Sequence, residues 1–345
     1  MKTHLARLAR REHLSRLHRA KTPAVLAAAA AAFALSVGAL GSAEASPATA
    51  RAGAAQSVAA QSLAAQPAAA EAPALEAKAT ASYDAFDARQ GIAVDRKHFY
   101  AVSDSTITKH DRATGKPLLQ FAGREDGPYV HFDSAAAVGD KLYAAHSNYS
   151  GWPMESSIEI FDTRTMRHIG THSFGIDRGS LTWLDRHNGA WWAAFANYDK
   201  ERKDKPGTPY GETYNTKVVK LDDDFQVVES WSIPKQILDK FKPMSNSGGS
   251  WGPDGRLYLT GHDLPETYVM KLPHSGSVLE HVATVALPGI EGQGIAWEDA
   301  GRNSALWGIS RDNEKVFRFD LPLEKITDPK TEDWKVLGPG EFVQE

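Results

Sequence analysis

The stretch GGSWGPDGRLYLTGHDLPETYVMKL, Gly248–Leu272, reads as three short strands in succession. Pro253-Asp254-Gly255 is turn chemistry: proline presets one backbone angle and glycine accepts the positive φ that closes a tight reversal. Leu257–Thr260 is then a strand centred on Tyr258, a polar gap carries His262 and Asp263, and Thr267–Lys271 is a third strand. Strands this short with turns this tight pair with their chain neighbours as an antiparallel meander.

The same order recurs in four other places, at Gln90–Asp111, Asp133–Asp162, Gly179–Asp222 and Gln293–Asp320. Each has a small-residue start, an apolar strand, a turn, a strand centred on an aromatic (Tyr100, Tyr143, Trp192, Tyr258 or Trp307), and a third strand that often ends in Asp. Third strands such as SIEIFD and KVFRFD alternate apolar and polar residues, the period of a half-buried strand. A fourth strand follows in most units, as in KPLLQFAG and QVVESWSIP. Four strands repeated at roughly 45 residues predict an all-β fold, a β-propeller of five four-stranded blades, with a sixth left open. The tails ASYDAFDA and DWKVLGPGEFVQE are candidates for a strand that closes the ring. The third unit carries an insertion, residues 200–216, and PKQILDKFKPMSNS predicts one short helix ahead of the fourth.

GPDGRLYLTG and STITKHDRATGKPLLQFAG resemble the repeats of YVTN and NHL propellers, a class of secreted bacterial proteins, over about residues 88–322. The resemblance implies the propeller fold. It does not select a function, because such propellers serve as enzymes, cofactor holders and scaffolds.

Ahead of the repeats, seven basic residues in the first 21 precede the apolar run AVLAAAAAAFALSVGALG and Ala43-Glu44-Ala45, which predicts a signal peptide at 1–45 and export to a secreted or periplasmic location. Residues 46–82, rich in Ala, Pro and Gln, predict a disordered linker, and 83–345 the propeller domain. Cleavage after Ala45 takes the formal charge from −4 to −9, which argues against nucleic acid as a partner, and no membrane insertion is expected after cleavage. With no cysteine, neither a disulfide nor a thiolate metal site is possible.

In a propeller, the loops between second and third strands and the starts of the innermost strands share one face around the channel mouth. Aligning the units on their aromatic anchors nominates His262, Arg311, Asp104 and Asp263 as catalytic candidates. The expected roles are His262 as base or acid, Arg311 neutralising a carboxylate, and a neighbouring Asp orienting the histidine. Gln90, Asp133, His146, Asn148, Arg178, Asn197, Gln293 and Asp312 are the ligand-binding candidates, although the column holding His146 also holds Phe195 and so reads as packing between blades. Tyr149, Trp152, Tyr198, Tyr210 and Tyr214 fall in long loops where rings can stack on a sugar. Scattered carboxylates leave calcium open as a cofactor, and no serine-nucleophile motif is present.

Two functions compete on this reading. One is an exported binding or scaffold module for a small polar molecule, a glycan or a protein partner. The other is a lyase or hydrolase acting on a carbohydrate or uronate through His262 and Arg311. A quinone-dependent dehydrogenase ranks third, since it would need more blades.

Overall fold

The computed structural model describes residues 74–299, 301–328 and 335–341. The expected signal segment and the linker up to residue 73 lie outside them. The described chain starts with β1 (Ala74–Glu76) and β2 (Lys78–Asp84). Blade one is β3 (Gly91–Val94), β4 (His98–Val102), β5 (Thr106–Asp111) and β6 (Pro117–Ala122). Blade two is β7 (His131–Val138), β8 (Lys141–Ser147), β9 (Ser156–Asp162) and β10 (His168–Gly175). Blade three is β11 (Ser180–His187), β12 (Ala190–Ala196), β13 (Lys217–Leu221) and β14 (Val227–Ser232). The helix α1 (Lys235–Phe241) leads into blade four, β15 (Gly248–Trp251), β16 (Leu257–Thr260), β17 (Glu266–Lys271) and β18 (Glu280–Ala286). Blade five contributes β19 (Ala296–Trp297), β20 (Leu306–Ser310) and β21 (Lys315–Asp320). Each blade is an antiparallel meander, so the protein is a five-bladed β-propeller.

The fourth strand of blade five comes from the other end of the domain. β2 pairs antiparallel with β21, Lys78 opposite Asp320 through Asp84 opposite Lys315. The tail ASYDAFDA therefore closes the ring. β1 adds a parallel strand to the outer edge of blade four, Ala74 opposite Thr284. Within the stretch expected as linker, 74–76 and 78–82 therefore lie in strands. Composition misled there for a physical reason: an outermost strand is held by its backbone bonds, and β2 is mostly exposed, so it needs few large apolar side chains.

Two recurrent local devices explain the repeat signature. First, an acidic residue in the turn between the inner two strands accepts a hydrogen bond from the polar tip of the buried aromatic anchor. Tyr100 donates to Asp95 (2.8 Å), Tyr258 to Asp254 (2.9 Å) and the Trp307 indole to Glu298 (2.9 Å). This lets a large amphipathic ring fill the space between blades without stranding its donor. Second, the Asp that ends a third strand accepts from the backbone and hydroxyl of the Thr three residues on: Asp111 from Thr114 (2.8 and 2.7 Å) and Asp162 from Thr165 (both 2.9 Å). The Asp-ended strand is thus a turn-forming feature.

Near the axis, Gly91 starts the inner strand of blade one and Gly294 stands two residues before that of blade five. A Cβ on Gly294 would come within 2.7 Å of the Gly91 Cα, so side chains are excluded there by the approach of two backbones. The helix predicted ahead of blade four is present, and its Ile237, Leu238 and Phe241 join the apolar cluster between blades three and four.

Candidate functional site: the channel mouth

All five blades contribute to a cavity of about 450 Å³ at one end of the channel. Inner-strand starts supply Gln90, His131, Asp133, Ser247 and Gln293; loops between second and third strands supply Asp104, Tyr149, Tyr198, Lys200, His262 and Arg311.

A continuous polar chain runs around its wall. His131 lies between two carboxylates, its Nε2 3.2 Å from Asp133 Oδ1 and its Nδ1 2.8 Å from Asp104 Oδ1. Gln90 donates to the same Asp104 oxygen (2.7 Å) and accepts from Arg311 Nη2 (3.2 Å). Arg311 is also fixed by donation from Nε to the Arg89 carbonyl (2.8 Å), and its Nη1 stands 3.4 Å from His262 Nε2. His262 Nδ1 completes the chain at 2.5 Å from Asp263 Oδ1.

The two histidines take opposite charge states. Burial disfavours charge on His131, but Asp133 and then Asp104 outweigh it and push its pKa up to about 10, so it is an imidazolium at neutral pH. Burial also dominates at His262, where Asp263 opposes it and Arg311 and Lys200 reinforce it. The balance holds this pKa below the ordinary histidine range. His262 is therefore neutral at pH 7, with Nδ1–H donating to Asp263 and Nε2 carrying the lone pair. Asp104 is held below the usual carboxylate range chiefly by its hydrogen bond with His131.

One oxygen stays outside this network. Asp133 is 7% exposed, and its Oδ2 is buried with no hydrogen-bond partner. Beside His131, the Tyr149 ring lies 5.3 Å from the imidazole and 5.2 Å from the ring of Tyr198. Four cationic groups (His131, Lys200, Lys203, Arg311) face two carboxylates (Asp104, Asp133), with Asp263 behind His262 as a third, so the mouth is net positive by one on a chain whose net charge is −4.

The structure brings His262, Arg311, Asp104 and Asp263 into one network, and Gln90, Asp133 and Gln293 onto the same wall. The Gln293 side chain is spent on the His262 carbonyl (2.9 Å), so it positions the histidine. The remaining candidates lie elsewhere. His146 accepts the Val130 N–H (3.1 Å) on Nε2 and contacts Ser157 Oγ (3.0 Å) through Nδ1, so it sits within blade two, behind the mouth lining. Asn148 braces its own loop, donating to the Pro153 carbonyl and accepting from Glu155 N–H, both at 2.8 Å. Arg178 and Asn197 line a neighbouring hollow, and Asp312 is exposed outside the cavity. The sequence reading passed over His131, Lys200 and Lys203. For His131 a signal was available: it stands two residues before Asp133 on an extended chain, which puts both side chains on one face. Among the described residues, no group of three or more His, Asp or Glu is placed to hold a metal ion.

No family model and no curated protein matches the chain. Among solved structures, it is similar to the PQQ-bound form of an aldose sugar dehydrogenase from Streptomyces coelicolor, at 14% identity and a TM-score of 0.43, over 74% of this chain and 84% of that one. It is also similar to the WD40 β-propeller domain of Doa1, at 11% identity and a TM-score of 0.36, over 67% and 78%. At these values nothing about ligand or activity carries across, and the fold rests on the strand pairing above.

Proposed function

We propose that this chain is an exported β-propeller that binds a small polyhydroxylated carboxylate, a sugar acid, in its channel mouth. The observation that carries this reading is the unpaired, buried Oδ2 of Asp133 in the cavity wall. Such an oxygen costs about 1–3 kcal/mol while it lacks a donor, and a small shift of the wall that opened it to the cavity would let a ligand hydroxyl supply one. The positive excess around it suits a ligand that also carries an anion, with Arg311 offering a planar two-pronged partner to a carboxylate. Tyr149 offers a ring face to the sugar's C–H surface. The leader and the resemblance to YVTN and NHL repeats support export.

Calorimetric titration with galacturonate, its neutral parent sugar and acetate tests this. Galacturonate should bind best. Arg311→Met should weaken it by roughly 30-fold, about 2 kcal/mol, and remove its advantage over the neutral sugar, while Asp133→Asn should weaken both sugars. Equal affinity for charged and neutral sugars, or no binding of either, would sink the proposal.

A second reading, proton abstraction at the carbon beside the carboxylate, is favoured by the state of His262. Its Nε2 lone pair faces Arg311 across a long 3.4 Å contact. An anionic ligand that draws Arg311 onto itself would free that lone pair, while Asp263 holds the ring and favours the imidazolium that forms. On this reading, galacturonate oligomers incubated in D₂O should acquire deuterium beside the carboxylate, or gain a double bond there as the glycosidic oxygen on the next carbon leaves and is protonated by solvent, visible by NMR, and His262→Gln should slow this about a hundredfold. Unchanged ligand spectra would leave a binding protein only.

A further inference from the structure

We propose that the hollow beside the mouth is a second subsite, which holds the next residue of an acidic oligosaccharide whose end residue sits in the mouth. This rests on the sugar-acid reading above. The hollow measures about 510 Å³, and the loop at residues 148–154, packed with Tyr198, Tyr210 and Met244, stands between it and the mouth. Tyr149 and Ser150 of that loop line the mouth; Trp152, Pro153 and Met154 line the hollow. Tyr210 ties the two together: its hydroxyl donates to the Ser150 carbonyl (2.7 Å), and its ring lies 5.6 Å from that of Tyr149. With Asn148 bracing the loop from within, this partition is a built wall. Each space alone falls in the range for a small ligand, so a single sugar ring does not need both.

The lining of the hollow says what it would take. Trp152 is 47% exposed, an unusual position for the largest apolar side chain. It is held in place by the Arg202 guanidinium, 4.5 Å from its ring centroid, and Arg202 is itself clamped by Asp204 at 3.0 and 2.5 Å. A fixed, partly exposed indole suits the C–H face of a sugar ring. Around it, Arg178 and Lys217 outnumber Asp177, so the positive character of the mouth continues outward. An oligosaccharide with a carboxylate on each residue matches this run of ring face and cation across two adjoining pockets.

Calorimetry on the full chain with mono-, di- and trigalacturonate tests the proposal. The dimer should bind at least tenfold more tightly than the monomer. Trp152→Ala should remove that gain while leaving the monomer's affinity within twofold, which also shows the variant to be folded. Arg178→Met should lower the gain for the dimer without touching the monomer. If the monomer binds and the dimer gains nothing, or if Trp152→Ala weakens both equally, the second subsite is wrong and the mouth reading survives. If no galacturonate binds at all, both fall together.

Discussion

A chain truncated to begin at Ala85 is expected to lose its cooperative unfolding transition, or to melt at least about 10 °C lower than the full chain. The truncation removes β2, the outermost strand of blade five, and with it the pairing of residues 78–84 with β21. Net contributions of roughly 0.5–1.5 kcal/mol for each lost backbone hydrogen bond add up over a seven-residue strand. The Tyr83 ring, stacked 5.9 Å from Trp307 and tilted 5.5 Å from Phe99, is lost as well. A total on the order of 5 kcal/mol is a large part of the 5–15 kcal/mol that stabilises a typical domain. At about 2–4 °C per kcal/mol for a domain of this size, the shift follows. The cut also exposes the edge of β21, whose KVFRFD sequence would then be open to pairing with another chain. Differential scanning calorimetry of the truncated protein, with and without a synthetic peptide of residues 74–86, checks the cause. The peptide should restore part of the transition, and Tyr83→Ala should fall between the two chains. A truncated protein that melts like the full one would show that the ring does not depend on this clasp.

The propeller was legible in the sequence because its determinants are local. Each blade carries its own turn residues, its own alternation and its own aromatic anchor, and the acid that pairs with the anchor's tip lies within a few residues of it. The closing strand was harder to bound, since its partner, β21, lies more than 200 residues away. The site was legible where strands end at the expected place. In blades one and four the second strand stops two residues after its anchor, at Val102 and Thr260, so counting onward from the anchor reaches the mouth at Asp104, His262 and Asp263. In blades two and three the corresponding strands run on to Ser147 and Ala196, four residues past Tyr143 and Trp192. The same count therefore lands on Ser147 and Ala196 within the sheet, and on Asn148 and Asn197 just past it. The side chains that reach the mouth there come later: Tyr149, Tyr198 and Lys200. Strand length is set by pairing across the blade, which a column of aligned residues does not record.

Stability of the native protein should fall as pH rises from about 6.5 to about 10, and most of that slope should disappear in His131→Gln. His131 is only 12% exposed and is charged because Asp133 and Asp104 flank it. Its folded pKa of about 10 is above the ordinary histidine value of 6.5, so the folded state holds this proton more tightly than the unfolded chain does. The resulting stabilisation is fully present below about pH 6.5 and is lost as pH rises through the folded value. Asp104 has the opposite sign: its pKa is lowered on folding, so its share is present above the ordinary aspartate value and is lost in acid. The two together give a stability maximum on the weakly acidic side of neutrality. A shift of this size corresponds to roughly 3–5 kcal/mol, or about 6–20 °C of melting temperature between pH 6.5 and pH 10. His131→Gln keeps one donor but no charge, so at pH 6 it leaves two carboxylates without their cation and should be less stable than the native protein by a similar amount. By pH 10 the native protein has lost the same cation, and the two melting curves should converge. Melting curves recorded for both proteins across this range test the charge, because titrating groups that do not touch His131 are common to both and cancel in the difference. Parallel curves would mean that His131 is neutral in the fold. The cavity would then lose its excess of positive charge, and the case for an anionic ligand would rest on Arg311, Lys200 and Lys203 alone.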